Sequence, residues 1–228
     1  MNWEDQCYLL SKRKFRENGN IVSVLSKNYG KTSGIVFGGN SRKIRNYLQI
    51  SNKLYVINNS KNNKLAYFKT ELIKPISPIF FNDKKRTTAL ISICSILDTL
   101  LPEGQLNKKI YDLFDSFINS IELENWIFLY IFLELNIVKI LGYDPDLLRF
   151  KDDKSKLSDF KRIKIDNFDF DIPYYLIANE IPKDISNEII KRSLLFSRNL
   201  IQNRLYLPSN LSFPRSRIFL ENYFDNLF

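Results

Sequence analysis

The sequence predicts a multi-domain α and β protein, in which an N-terminal barrel of five strands is followed by an all-α helical domain. Two observations predict this architecture. Five short apolar segments lie in residues 1–75, with turn residues at regular spacing between them. From about residue 80 onward, the period of the apolar residues changes from two to roughly 3.6. Pro75 and Pro78 mark the change, so the predicted domains are residues 1–78 and residues 79–228.

The predicted strands follow one another with short connections. They cover residues 6–15, 21–25, 35–37, 54–57 and 65–70. Asn28 and Gly30 favour a turn between the second and third strands, because both residue types adopt turn conformations at low steric cost. Gly38-Gly39 ends the third strand and leads into a predicted basic loop. Five is the strand count of the OB fold, which binds oligonucleotides, so residues 1–78 are predicted to be an OB-fold nucleic-acid-binding domain.

The predicted helices cover residues 84–101, 107–121, 124–141 and 184–205, and Pro214 begins a last helix. Residues 126–133 are apolar on every side. A run of this kind indicates a central buried helix, because Glu134 interrupts it before the roughly 20 apolar residues that a membrane span needs. Residues 149–172 are charged and weakly patterned, which predicts a loop or small insertion with a short hairpin at residues 160–170.

The charge of the chain is concentrated in its first third. Residues 1–75 carry 14 Lys/Arg against 4 Asp/Glu, a net +10, whereas residues 76–228 carry 20 against 21, a net −1. The chain is rich in Asn, Lys and Ile, a composition that genome bias alone can produce. Such bias would raise the lysine content of both parts. The asymmetry therefore predicts an N-terminal module that faces a polyanion such as nucleic acid.

The Cys and His content excludes several kinds of site. Cys7 and Cys94 are the only two cysteines, they lie far apart, and the chain has no His. A Cys/His zinc site and every Ser-His or Cys-His nucleophile are therefore excluded, and no cofactor is expected. The first residues are acidic and lack an apolar segment, so no signal peptide is expected. Together with the absence of a disulfide framework, these observations predict a cytoplasmic protein.

The candidate phosphate contacts are the cations in the turns and basic runs of the N-terminal module. They are Arg13, Lys14, Arg16, Lys27, Lys31, Arg42, Lys43 and Arg45. For each one alone, the alternative is a solvated surface charge, whereas the cluster favours binding to phosphates. Tyr29, at the tip of the predicted hairpin, is the aromatic residue expected to stack on a base. The aromatic residues at positions 37, 47, 55 and 67 are more typical of strands that pack in a core.

Catalytic chemistry is not predicted. Asp166, Asp169 and Asp171 alternate in an acidic stretch, and the alternative hypothesis is that they hold the divalent ion of a metal-dependent nuclease. Such metal sites need carboxylates from several elements of the fold, so a local run indicates a solvated loop. The chain has no glycine-rich loop that would cradle a nucleotide phosphate. DNA binding without turnover is therefore favoured over the nuclease hypothesis.

Four stretches in collinear order resemble the RecO family of bacterial recombination mediators. They are residues 3–25, residues 38–52 with the run GGNSRKIR, residues 130–143 and residues 197–217. The chain departs from the family pattern at Cys7, where the family usually has Gly, and at Ile50-Ser51, where it usually has Pro-Gly. Many relatives carry a Cys-rich zinc insertion, but residues 149–172 have no Cys and cannot bind zinc in that way.

The resemblance implies an OB fold, a helical C-terminal domain, no catalytic chemistry and a place at the nucleoid. It also implies binding to ssDNA and dsDNA, annealing of complementary strands, and association with RecR. It further implies that the chain binds the acidic C-terminal tail of single-stranded DNA-binding protein (SSB) and helps to load RecA onto SSB-coated strands. RecF and RecA are further partners that the resemblance suggests, and no membrane partner is expected.

A second candidate site involves the arginines near the C-terminus. Arginine beside apolar helix faces suits a peptide that ends in acidic residues, Phe and a free carboxylate, as the SSB tail does. The candidates are Arg198, Arg204, Arg215 and Arg217. The alternative for these arginines is ordinary exposed helix surface. For the whole chain, the alternative function is a protein-binding structural adaptor whose basic face is incidental.

Overall fold

The computed structural model describes residues 2–39, 41–59, 66–165, 168–182 and 186–225. The chain forms two compact units. The first contains Met1–Asp112 and Pro214–Arg217, and the second contains Leu113–Phe213 and Ile218–Phe228. A closed barrel of five strands lies at the N-terminus and helices follow it, so the predicted fold class is confirmed. The domain boundary at residue 78 stays a prediction.

The barrel strands are β1 (Trp3–Phe15), β2 (Gly19–Ser26), β3 (Gly30–Phe37), β4 (Lys53–Asn59) and β5 (Ala66–Lys74). Their order around the barrel is β1-β2-β3-β5-β4, and β4 pairs with β1 to close it. The pairs are antiparallel except for β3 with β5, which run parallel. Closure pairs the edge strands with each other. Strand β3 is longer than predicted because it begins at Gly30, immediately after a tight turn.

Alternating residues of the strands fill the barrel. The core cluster consists of Cys7, Leu9, Val22, Val24, Val36, Leu48, Leu54, Val56 and Phe68. The ring of Phe68 packs directly on the backbone of β3 at Gly34, because a Cβ there would lie 2.7 Å from three of the ring atoms. The barrel interior is therefore a packed core, and any ligand surface must lie on its outside or at its ends.

A short helix, α1 (Arg42–Tyr47), replaces the basic loop predicted between β3 and β4. The Ser41 Oγ caps it by accepting a hydrogen bond from the Ile44 N–H at 3.4 Å. Gly38 has a φ of +67°, and a Cβ at Gly39 would lie 2.3 Å from the side chain of Asn20. The glycine pair thus lets the chain turn sharply out of β3 and pass close to β2. Six helical residues are too few to show a helical period, so the loop prediction was wrong.

The remaining helices are α2 (Lys84–Leu100), α3 (Lys108–Ser120), α4 (Trp126–Ile140), α5 (Tyr174–Ala178), α6 (Asn187–Ile201) and α7 (Arg215–Asn222). Helix α2 packs against β1 within the first unit. Helix α6 continues into a π-helical turn at Gln202–Tyr206. Strands β6 (Phe160–Ile165) and β7 (Phe168–Pro173) pair as the hairpin predicted in residues 149–172.

Helix α4 is the buried helix of the second unit, as predicted. Its buried residues lie on all sides and include Trp126, Phe128 and Ile137. Glu134 is also completely buried, and it accepts a hydrogen bond of 2.7 Å from the Ser197 hydroxyl of α6. A polar pair of this kind satisfies a carboxylate that apolar neighbours alone would destabilise. Among the described residues, no helix combines the length and the apolar character needed to cross a membrane.

Both cysteines are free and completely buried, and their burial predicts a dependence of stability on pH. Burial raises the pKa of the Cys7 and Cys94 thiols far above the ordinary range, and nearby carboxylates add to the effect. The unfolded chain ionises its thiols from about pH 8.5, whereas the folded chain keeps them neutral. The stabilisation is therefore complete below pH 8.5 and is lost as pH rises above it. Urea unfolding should show the free energy of unfolding falling by up to about 1.4 kcal/mol per pH unit for each thiol between pH 8.5 and 10.

The matched control is Cys94→Ala, which removes one of the two thiols. Its free energy of unfolding should change with pH about half as steeply over the same range, even if the substitution lowers stability at every pH. Identical slopes for the wild type and the variant would contradict the assignment. Rapid reaction of both thiols of the folded protein with a thiol reagent would contradict their burial.

Candidate nucleic-acid interface

One end of the barrel gathers most of the predicted phosphate contacts. The turn between β1 and β2 lies beside the end of β3, because Gly19 pairs with Phe37 and the Gly38 N–H donates to the Asn18 carbonyl at 2.7 Å. Helix α1 begins four residues after Gly38. The cations at this end are all exposed, and we call them the basic end: Arg13, Lys14, Arg16, Arg42, Lys43 and Arg45.

Helix α1 is held against the barrel by its inward face. Leu48 is completely buried in the barrel core, and Ile44 packs against the same core. The Tyr47 hydroxyl donates a hydrogen bond of 2.6 Å to the Thr70 carbonyl of β5. The outward face carries the exposed residues Arg42, Lys43 and Arg45. The helix therefore presents three cations from a fixed position, which lowers the entropy cost of ordering them on a ligand.

Lys12 joins the end of β1 to α1 and was not among the predicted site residues. Its Nζ donates to the Leu48 carbonyl at 2.6 Å and to the Gln49 Oε1 at 3.4 Å. Burial lowers the pKa of Lys12, and the positive charge of Arg45 lowers it further. Lys14 lies two residues farther along the strand, so it projects on the same side as Lys12. The positive charges of β1 and α1 thus lie close enough to repel each other, and an anion bound between them would relieve this repulsion.

The other two predicted cations lie at the opposite end of the β2–β3 hairpin. Eight paired residues separate the two ends, a length of about 23 Å at about 3.3 Å per residue. Lys27 is exposed in the turn. Lys31 lies on strand β3 and not in the turn as predicted, and its Nζ donates to the Asp98 carbonyl of α2 at 2.7 Å. The eight candidates therefore do not form one cluster, because the hairpin separates these two from the rest.

Tyr29 lies at this opposite end and already stacks within the protein. Its ring is 4.7 Å from that of Trp3 at an interplanar angle of 16°. The turn that carries Tyr29 is held by Asp5, whose carboxylate accepts from the Asn28 N–H at 2.8 Å and from the Asn28 Nδ2 at 3.0 Å. One face of the Tyr29 ring is thus covered by Trp3, and the ring lies far along the hairpin from the basic end.

An exposed aromatic pair lies nearer to α1. Phe37 is 56% exposed and Tyr67 is 41% exposed, and their rings stack at 5.2 Å with an interplanar angle of 23°. Both side chains line a groove of about 410 Å³ that Ile44 of α1 and Lys69 of β5 also line. Sequence reasoning placed both rings in the core, because aromatic residues on strands usually lie there. No local pattern distinguishes an outward from an inward aromatic residue until the strand register is known.

The C-terminal arginines lie in different surroundings. Arg198 forms an ion pair with Glu221 at 3.3 Å, and the guanidinium of Arg204 lies 4.4 Å from the centre of the Tyr143 ring. Both arginines belong to the second unit, whereas Arg215 and Arg217 belong to the first. Arg215 is exposed, but Arg217 is completely buried. Arg217 was predicted to contact a peptide at the surface, and this prediction is wrong because the side chain is buried. The sequence alone does not reveal the burial of an arginine on so short a helix.

The acidic residues of β7 face cations. Asp169 lies 4.0 Å from Arg162, and Asp171 lies 3.9 Å from Arg192. Asp166, the third member of the predicted acidic stretch, lies outside the described residues. In the part of the chain that the structure describes, no three His, Cys, Asp or Glu side chains come together in a way that would hold a metal ion.

Comparison with known proteins gives one consistent result. The family models described as "Recombination protein O N terminal" and "Recombination protein O C terminal" match residues 1–76 and 82–150. The chain is 27% identical to the DNA repair protein RecO of Wolbachia pipientis subsp. Culex pipiens (strain wPip), over 98% of this chain and 99% of that protein. It is 34% identical to the DNA repair protein RecO of Ehrlichia chaffeensis, over 65% of this chain and 62% of that protein. With the DNA repair protein RecO of Wolbachia pipientis wMel, the identity is 27% over 95% of this chain and 98% of that protein.

Proposed function

Because this chain belongs to the RecO family of DNA repair proteins, we propose that it is a non-catalytic protein that binds DNA through the basic end of its barrel. The observation that carries the proposal is α1, whose three exposed cations are held in place by the burial of Leu48 and by the Tyr47–Thr70 hydrogen bond. Neutralisation of phosphates supplies most of the affinity of a protein for DNA of any sequence. Binding at this surface needs no metal and no catalytic group.

The proposed activity is the binding and annealing of DNA strands. A surface that neutralises phosphates lowers the repulsion between two complementary strands, so both can be held close enough to pair. Together with RecR, the protein would help to load RecA onto ssDNA coated with SSB, at the nucleoid in the cytoplasm. RecF is a further proposed partner. The barrel supplies the contact with ssDNA and dsDNA in this scheme, and the helical part of the chain supplies the contact with proteins.

Two separate groups of arginines near the C-terminus are the proposed contacts for the SSB tail: Arg198 and Arg204 in the second unit, and Arg215 in the first. Arg198, Arg204 and Arg215 retain some exposure, whereas Arg217 does not. A guanidinium beside an apolar surface binds a terminal carboxylate through paired hydrogen bonds, while the apolar surface accepts the aromatic side chain of the peptide. The ion pair of Arg198 with Glu221 would have to open or to share the arginine with the peptide.

The charges of α1 provide the test. Arg42→Glu/Lys43→Glu/Arg45→Glu should weaken binding to a labelled single-stranded oligonucleotide by about 100-fold in low salt, because each reversal replaces an attraction by a repulsion. The slope of log K against log salt concentration should become shallower by about 2, since each lost phosphate contact removes about 0.7. Fluorescence anisotropy at several salt concentrations measures both quantities.

The matched control reverses three exposed cations that are not among the predicted phosphate contacts, Lys108→Glu/Lys109→Glu/Lys154→Glu. It changes the net charge by the same amount and leaves the basic end intact, so its affinity should remain within about threefold of the wild type. Equal losses in both variants would show that overall charge, and not the basic end, determines binding. If the folded wild-type protein bound no DNA in low salt, the protein-binding adaptor would become the better proposal.

A further inference from the structure

We propose that the stacked pair of Phe37 and Tyr67 is a platform for unpaired bases, which makes this surface favour single strands over duplex. The inference rests on the proposed function, because it assumes that the phosphates of the same strand lie on the basic end. It adds a second kind of contact, between rings and bases, to the contact between cations and phosphates. Unlike phosphate contacts, ring contacts require bases that are not already stacked in a duplex.

The strand register explains why these two rings face solvent. Tyr67 and Phe68 are neighbours on β5, and successive side chains of a strand point to opposite faces. Phe68 is 4% exposed inside the barrel, which leaves Tyr67 on the outside at 41% exposed. Ile35 of β3 pairs with Tyr67, and Phe37 lies two residues farther along the same strand. The parallel pairing of β3 with β5 therefore brings two outward aromatic rings from distant parts of the sequence into contact.

The shape of the pair suits a flat ligand. The two rings are nearly parallel, at 23° and 5.2 Å between centres, so they form one extended aromatic surface. The groove beside them has a volume of about 410 Å³, within the range of about 300–1,000 Å³ that holds small ligands. The exposed Asn59 also lines it and offers a polar side chain to the edge of a base. Such a site accepts any of the four bases, because every base has a flat π face.

The charge around the pair selects a nucleic acid over an apolar protein segment. Ile44 forms one wall of the groove, and it lies in α1 between the exposed cations Lys43 and Arg45. Lys69 of β5 lines the groove and is also exposed. A ligand that places flat apolar rings on the aromatic pair must therefore carry negative charge beside them. Single-stranded DNA has this combination, with a phosphate next to every base.

The test compares three labelled ligands of equal length: a single strand of dT, the same strand with abasic sites throughout, and a duplex. Phe37→Ala/Tyr67→Ala should weaken binding of the dT strand at least about 10-fold, since stacking on aromatic rings is lost. Binding of the abasic strand and of the duplex should change less than about twofold, because both rely on phosphate contacts alone. Fluorescence anisotropy in low salt measures all three affinities.

Three further variants separate stacking from other causes. Phe37→Leu/Tyr67→Leu keeps apolar side chains without π faces and should lose affinity for dT as the alanine variant does, whereas Phe37→Tyr/Tyr67→Phe should keep it. Phe160→Ala/Phe219→Ala removes two exposed aromatic rings of the second unit and should have no effect on any ligand. Unchanged binding of dT by the alanine variant, or equal losses on all three ligands, would overturn the inference. Retention of full dT affinity by the leucine variant would also overturn it and would point to a surface for an apolar protein segment.

The outcome is distinguishable from a failure of the proposed function. If the wild-type protein binds all three ligands and the α1 charge reversal weakens all three, the proposed function stands whatever the aromatic variants show. If the α1 reversal has no effect while Phe37→Ala/Tyr67→Ala weakens dT binding, bases are bound but phosphates are not held at the basic end. The proposed function would then be wrong in its location, and the inference would lose the premise on which it rests.

Discussion

Asp5→Ala is expected to lower the free energy of unfolding by about 3–5 kcal/mol. The Asp5 carboxylate is 7% exposed and accepts hydrogen bonds from the Ser26 hydroxyl, from the N–H and side chain of Asn28, and from the Gln6 N–H. Ser26 is completely buried, so its hydroxyl would lose a charged acceptor that water cannot easily replace. Urea unfolding followed by tryptophan fluorescence measures the change. Trp3 of β1 stacks on Tyr29, which lies in the turn that Asp5 holds, so its fluorescence reports the loss of this turn.

The control for this prediction is Asp5→Asn. The amide keeps one acceptor oxygen, but it places an NH₂ group where the second carboxylate oxygen accepted hydrogen bonds. The loss of stability should therefore lie between zero and the loss in Asp5→Ala. Under conditions where Asp5→Ala remains folded, its affinity for DNA should stay close to wild type, because the basic end lies at the other end of the hairpin. A loss below about 1 kcal/mol in Asp5→Ala would mean that the turn does not depend on this carboxylate.

Phe68→Ala is expected to lower the free energy of unfolding by about 3–5 kcal/mol, the range for removing a large aromatic side chain from a core. The ring is 4% exposed, lies 5.8 Å from the ring of Trp3, and packs on the backbone of β3 at Gly34.

Gly34→Ala should by itself lower the free energy of unfolding by about 1–3 kcal/mol, because the new methyl group would lie 2.7 Å from the Phe68 ring. Urea unfolding of each variant gives these values.

The double variant Gly34→Ala/Phe68→Leu tests the contact directly. Leucine has no ring, so the methyl group at position 34 can occupy part of the space that the phenyl group leaves. The double variant should therefore lose less stability than the sum of Gly34→Ala and Phe68→Leu, by at least about 1 kcal/mol. Strict additivity of the two single effects would show that the side chains do not compete for the same volume, contrary to the observed packing.

Local patterns predicted the elements of this protein well where those elements are long. The period-two segments correspond to the five barrel strands, and the apolar run at residues 126–133 corresponds to the buried helix α4. The prediction was wrong for α1, because a helix of six residues covers less than two turns and cannot establish a period. It missed α5 for the same reason, since this helix has only five residues.

The candidate site was predicted less completely than the fold. Arg42, Lys43 and Arg45 were identified from their charge alone, and the structure places all three on the surface. Charge alone did not distinguish the cations that are free to bind a ligand from two that are not: Lys31 contacts a carbonyl of α2, and Arg217 is buried. Charge also did not indicate Lys12, whose contacts with Leu48 and Gln49 join residues 36 and 37 positions apart.

The sequence by itself determined a barrel followed by helices, the concentration of positive charge in the first third, and the burial of α4. These properties depend on composition and on periods of a few residues, which can be read along the chain. Only the tertiary structure decided which end of the barrel carries the cations, and that Phe37 and Tyr67 face solvent together. The first depends on the pairing of β2 with β3, and the second depends on the register of β3 with β5. A shift of one residue in such a pairing would turn every side chain of the strand to the opposite face.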